Sequence, residues 1–460
     1  MKLVSTAVLT GLLVVAAAGA ALLASGSTTS TAAGVSTPGV STSGVSVGAE
    51  RMVVSGWVNA NHLSGKAAFM QLPYAESVIS AAGGLAPRVV LVSYSEHFDS
   101  RYYPERLRTV RSVDGGKTFT PLATGVPISS MTQLADGSLV AVNFRTATPL
   151  LTGPGMRTTA AKPPGSGFKQ FASTFWRSHD YGATWVQGHG TISAGQAYDE
   201  VFFHRGILAA RDGSLLATTH GYLHGEHKYS SMLARSTDAG ASWRIVSTIA
   251  KSPPGWRIEG RSEPTMARAT NGDLVVVMRQ SAPVTPNICN GSRQGAGLVI
   301  SRSRNEGATW TPARSLVGAG LDVRDVSSAD PHLARMPAGE LILSYGRPGN
   351  KILISPDGNG ATWSNLTVTK AGTSSGYTSL VALTKTTALQ VGDDGSNWCF
   401  RAGSGLHRVG IWAKTIVLEP HVGARTPFPA GVAAADASDM LGVPRDHVLG
   451  LEKVTRSSQM

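Results

Sequence analysis

The sequence predicts an all-β repeat protein. Three observations carry this. A turn motif, Ser-x-Asp-x-Gly-x-Thr-Trp, recurs five times. A second, hairpin-like repeat lies between its copies. Beyond the N-terminus, no segment shows the long 3.6-residue apolar stripe that an α/β fold needs.

The copies begin at Ser112, Ser178, Ser236, Ser303 and Ser355, spaced by 66, 58, 67 and 52 residues. The first ends in Phe119, the fourth has Asn305 in place of Asp, and the fifth carries one extra residue before Gly360. A period of this size marks one supersecondary unit repeated along the chain. The residue types suit a tight turn. Ser and Asp side chains bond the turn's own backbone, and Gly takes the positive φ that other residues resist. The aromatic is expected to tuck beneath the turn and pack between neighbouring sheets. These are structural residues rather than catalytic ones.

In chain order, residues 1–25 open with Lys2 and then run apolar, with Ala18-Gly19-Ala20 as a small-residue cleavage site. This reads as a secretory signal, with an uncleaved membrane anchor as the alternative. Localisation is therefore expected to be extracellular, by release or by an N-terminal tether. Residues 26–48 are a Ser/Thr/Gly/Ala-rich linker. Met52–Val58 is a strand candidate that closes onto the last repeat. Leu134–Leu139, Ala210–Leu215, Thr270–Leu274 and Met336–Leu341 are Gly-containing turns, followed by apolar runs such as Val275-Val276-Val277. Thr378–Val391 and His407–Leu418 supply a last unit without the turn motif. Residues 421–460 read as a peripheral tail. The net charge of +12 is not clustered, which argues against nucleic acid as a partner and modestly favours anionic glycans. Cys289 and Cys399 pair only if folding brings them together, and neither has a metal spacing. Asn290 and Asn365 stand in glycosylation sequons.

The motif is the Asp box. Five copies at this spacing resemble the sialidase-type β-propeller over residues 50–420. The resemblance implies six blades of four antiparallel strands each, with the active site on the ring axis. It also implies a monomer that hydrolyses a glycan or glycoconjugate without cofactor or catalytic metal. Glu263-Pro264, followed sixteen residues later by Arg279, is similar to the stretch where a Glu precedes a hairpin that ends in a substrate-binding Arg. Leu343-Ser-Tyr-Gly-Arg347 is its counterpart on the next blade. Two guanidinium groups facing one cavity make sense if an anion lies between them. Ser375-Gly-Tyr377-Thr-Ser379 looks like the segment bearing the nucleophilic Tyr. A phenol of pKa roughly 10 needs a base, and Glu263 takes that role. Asp99 is the expected general acid, with Glu96 as the alternative. Ordinary structural roles stand beside each of these: a surface Arg, a core Tyr, a solvated loop Asp.

One departure bears on the sugar. The Phe-Arg-Ile-Pro-like motif of sialidases is missing, and the corresponding region reads Pro73-Tyr-Ala-Glu76-Ser-Val-Ile79. Arg88 or Arg205 are substitutes without support from spacing, and Phe203-His204-Arg205-Gly206-Ile207 reads as a rim contact. Three functions follow. The first is a retaining exo-glycosidase of sialidase type. The second is a non-catalytic carbohydrate-binding or scaffold propeller. The third is a glycosidase for another sugar, using carboxylates such as Glu76, Glu263 or Asp99.

Overall fold

The computed structural model describes residues 44–59, 71–79, 88–95, 107–122, 130–142, 167–226, 228–253, 260–280, 297–316, 329–346, 349–372, 374, 376–394 and 405–419. Among them are strands and turns and no α-helix. β1 (Val45–Val47) and β2 (Arg51–Asn59) come first. β3 (Gln71–Ile79), β4 (Arg88–Ser95), β5 (Leu107–Ser112) and β6 (Thr120–Pro121) form an antiparallel sheet in chain order. β7 (Ser130–Gln133), β8 (Leu139–Val142), β9 (Phe168–Ser178), β10 (Val186–Ala209), β11 (Leu215–Leu223), β12 (Tyr229–Ser236) and β13 (Trp243–Ala250) form one larger sheet. It is continuous because β10 is shared: its first half pairs with β9 and its second half with β11.

Two four-stranded sheets follow. The first contains β14 (Arg261–Arg268), β15 (Leu274–Gln280), β16 (Leu298–Ser303) and β17 (Arg314–Ser315). The second contains β18 (Ala329–Arg335), β19 (Leu341–Gly346), β20 (Asn350–Ser355) and β21 (Ser364–Lys370). β22 (Thr378–Ala382), β23 (Thr387–Asp393) and β24 (Leu406–Leu418) end the series. β2 pairs antiparallel with residues 406–413 of β24, and β1 with residues 416–418. The start of the described chain thus covers the edge that its end would expose.

The strands' continuous apolar character has a packing reason. Each sheet is buried on both faces, so alternate residues serve two cores. Val275 and Val277 of β15 join a cluster with Leu333 and Leu343, while Leu274, Val276 and Met278 join one with Leu216 and Leu233. The strands β3, β7, β10, β14, β18 and β22 contact one another in that order, and β22 contacts β3. That cycle of inner strands is a β-propeller.

The turn motifs behave as their chemistry requires. Ser178 Oγ donates to Asp180 Oδ1 at 2.8 Å and accepts the Gly182 N–H at 2.8 Å. Asp180 then accepts the N–H and hydroxyl of Thr184 at 2.9 and 2.6 Å. Gly182 and Gly240 sit at φ 78° and 87°. Trp185 and Trp243 donate back to the carbonyls of Gly182 and Gly240. Trp243 also meets Phe203 edge-on, with centroids 5.2 Å apart. Asn305 reproduces the pattern with an amide.

Candidate active site

Three inner strands break their ladders at equivalent points. β10 is bulged between Phe203 and Ile207, β14 between Ser262 and Thr265, and β18 between Ala329 and His332. Each bulge holds a non-glycine residue in the left-handed region: Arg205 at φ 51°, Glu263 at 50° and Asp330 at 50°. Such backbone costs about 1–3 kcal/mol per residue and persists only where the surroundings enforce it. A bulge also re-aims side chains that a regular strand would send into the sheet faces.

Glu263 is the hub. Its carboxylate is 7% exposed and accepts from three directions. Tyr377 Oη and Arg279 Nη1 each donate to Oε1 at 3.0 Å, and the Asp330 N–H donates to Oε2 at 2.7 Å. Arg279 reaches it because β15 places that residue opposite Ser262, one position before the bulge. Tyr377 immediately precedes β22, two sheets further round. The fold therefore brings together Glu263, Arg279 and Tyr377 from separated stretches of sequence.

Behind this hub lies a buried ion cluster. Asp330 is fully buried. Arg205 grips it in a fork, with Nε on Oδ1 at 3.1 Å and Nη2 on Oδ2. His204 Nε2 lies 3.0 Å from Oδ1, and its Nδ1 lies 3.1 Å from the Pro264 carbonyl. Both ring nitrogens thus lie within hydrogen-bonding distance of an oxygen acceptor. His332 is different. Burial pushes its pKa well below the ordinary value, and the charges of Arg205 and His204 push the same way. It is neutral, and its Nδ1 accepts the Leu380 N–H at 2.8 Å.

The reading of Phe203–Ile207 as a rim contact is corrected. His204 and Arg205 are each 1% exposed and face Asp330, because the bulge turns them inward. Arg205 is thereby committed to a carboxylate rather than open to a sugar. Arg88 lines a cavity of about 140 Å3 together with Arg268, His332 and Arg335. Arg268 and Arg335 are the last residues of strands whose first turns carry Glu263 and Asp330, so Arg88 belongs to the far end of the inner strands. Asp99, Glu96, Arg347, Cys289 and Cys399 lie outside the described residues. Glu76 stands in β3 opposite Leu91. Among the described residues, no group of three His, Cys, Asp or Glu is placed to hold a metal ion.

Asp330 escaped the sequence reading and its anchors were placed at the rim, yet a signal existed. Arg205, Glu263 and Asp330 each follow the Ser of an Asp box (Ser178, Ser236, Ser303) by 27 residues. The turn period was visible; carrying the same offset into the next strand would have found all three.

A family model described as a BNR repeat-like domain matches residues 153–391, more than half of the chain. The chain belongs to that family. Among solved structures, the BNR propeller is similar to a protein of unknown function from Dyadobacter fermentans, at TM-score 0.51 and 17% identity, covering 80% of this chain and 99% of that one. It is equally similar to the Penicillium chrysogenum alpha-L-arabinanase complexed with arabinobiose, at TM-score 0.51 and 15% identity, covering 79% and 98%. A Hadza microbial sialidase aligns at TM-score 0.48 and 17% identity, covering 78% and 67%. At these identities the likeness is one of fold. No curated protein sequence matches the BNR propeller.

Proposed function

We infer that this BNR propeller is a retaining exo-glycosidase built on six blades. Tyr377 is the nucleophile and Glu263 its base. The observation that carries this reading is the 3.0 Å hydrogen bond from Tyr377 Oη to Glu263 Oε1, made between two non-adjacent sheets. In the reaction, the phenol oxygen attacks the anomeric carbon while its proton passes to Glu263. Asp99 protonates the departing oxygen. Water then hydrolyses the glycosyl–tyrosine bond, with Asp99 as base, and the proton held by Glu263 returns to the phenol. A neutral phenol suits an anomeric centre that bears a carboxylate, where a carboxylate nucleophile would be repelled. Arg279 and Arg347 then hold a sialic-acid-like sugar. Residues 1–25 direct the protein out of the cell, or tether it there.

One observation favours a second reading. Arg279 is bonded to Glu263 and Arg205 to Asp330, so both guanidinium groups already have carboxylate partners. A neutral sugar such as an L-arabinose-containing glycan then fits, with Glu263 acting directly as a catalytic carboxylate. A panel of fluorogenic sialosides and arabinosides, run with Tyr377→Phe alongside, separates the two. Sialoside turnover lost in the variant supports the first reading. Arabinoside turnover that survives in the variant supports the second. Silence on every substrate leaves a carbohydrate-binding propeller.

A further inference from the structure

The Tyr377–Glu263 bond joins β22 to β14, and β18 lies between them in the cycle of inner strands. A side-chain contact across an intervening strand is only as precise as what that strand supplies. Asp330, at the bulge of β18, bonds to both sides. Its main-chain N–H, released from the ladder by the bulge, donates to Glu263 Oε2 at 2.7 Å. Its carboxylate Oδ2 accepts the N–H of Thr378, the residue after Tyr377, at 3.3 Å. The same carboxylate is held from behind by the Arg205 fork and by His204.

We propose that Asp330 is a positioning residue that clamps the base and the nucleophile at a fixed separation. Arg205 and His204 anchor it. The inference rests on the Tyr377–Glu263 reading above and deepens it. Its physical content is a division of labour within one residue: the backbone orients the carboxylate of Glu263, and the side chain orients the start of β22. Neither bond touches substrate, so the effect is on the chemical step rather than on sugar binding. A buried anion held by a buried guanidinium and an imidazole resists displacement, because moving it leaves charges unpaired in a dry interior.

The test is Asp330→Asn. Asn tolerates left-handed backbone, so the bulge is kept while the charge is lost. The expected result is a fall in kcat of about 100-fold with KM changed less than about threefold, the size of effect that a misplacement near 1 Å produces. Arg268→Met is the control. It breaks the ion pair to Glu306 at the far end of β14, and should lower thermal stability while leaving kcat unaltered. A kcat for Asp330→Asn within about twofold of the parent overturns the clamp, and so does a change confined to KM. If Asp330→Asn does not fold, Arg205→Lys takes its place. It keeps the charge but loses the fork, and a kcat fall of about tenfold is expected, with no change overturning the proposal. A crystal structure of the variant gives a readout that needs no turnover: Tyr377 Oη should leave hydrogen-bonding reach of Glu263. An inert parent whose variant nonetheless opens this contact would sink the glycosidase reading and spare the clamp. An active parent with an unperturbed variant would do the reverse.

Discussion

Replacing Glu263 by Gln probes the hub most directly. The carboxylate has two oxygens, and the described donors use both: Tyr377 and Arg279 on Oε1, Asp330 N–H on Oε2. An amide has one oxygen. Turned towards Tyr377 and Arg279, it points its NH2 at the Asp330 N–H, donor against donor. Turned the other way, it points the NH2 at the Arg279 guanidinium. Either orientation leaves a buried donor unsatisfied, at about 1–3 kcal/mol. Arg279, itself 7% exposed, loses its counter-charge as well, and breaking a buried pair from one side costs about 3–5 kcal/mol. The two penalties overlap, since both count the Arg279–Glu263 bond, so about 3 kcal/mol is expected. Urea unfolding monitored by tryptophan fluorescence reads this cost. Activity should fall by about 100- to 10,000-fold with loss of the base. A stability loss below about 1 kcal/mol would show that the hub is solvated and not dry, and the reasoning would fail.

Three further outcomes follow from the same geometry. Tyr377→Phe should cost more than about 1,000-fold in kcat while stability in urea falls by about 1.5–3 kcal/mol, the worth of one hydrogen bond to a charged acceptor; a stability loss well above that with little change in kcat would make Tyr377 a core residue. Gly346→Ala should lower kcat at least about tenfold in steady-state assays, because the added Cβ would lie 2.2 Å from the Gly376 carbonyl and push the Tyr377 segment aside. Asp180→Asn tests the turns by pH. Burial pushes the Asp180 carboxyl up, but bonds from Thr184, Ser178 and Ala183 outweigh it and hold the carboxyl at about 2. A depressed folded pKa contributes stability above the unfolded value of about 3.9 and loses it as pH falls through the folded one. Thermal melts should therefore show parent and variant apart at neutral pH and converging between about pH 4 and pH 2, by less than the shift alone implies, because the group is solvent-screened. A gap that stays constant over that window would mean the turn's stability is not carried by the charge.

What was legible in the sequence is what local chemistry dictates. The Asp-box turns need Ser, Asp and Gly for their own geometry, so their period and the strands between them could be read directly. Glu263, Arg279 and Tyr377 could be singled out because their segments are similar to ones in a known family, and the hairpin explains how the first two meet. Arg205 and His204 were misread for a physical reason. Two polar residues between Phe203 and Ile207 look like an outward flip of a half-exposed strand. Here the strand is buried on both faces, and a bulge turns the pair towards the ring axis instead. Asp330 has no local motif to mark it, because each of its side-chain partners belongs to another sheet; only its shared offset from the Asp box points to it.

The offset shared by Arg205, Glu263 and Asp330 explains how one repeat can gather a cluster of charged side chains. A propeller delivers the same point of each inner strand to the axis, so whatever stands at the bulge meets its counterparts from neighbouring blades. Here those positions carry one cation and two anions, and the cation neutralises the more deeply buried anion. The other anion is left to Arg279 and to the phenol of Tyr377. The backbone strain at these points is flanked by strands such as Val275–Val277, which are fully buried. Chemistry can then be rewritten at the bulge without disturbing the turns or the apolar runs. That separation is why the fold alone leaves the sugar open, and why the charges at three equivalent positions say more about the reaction than the propeller does.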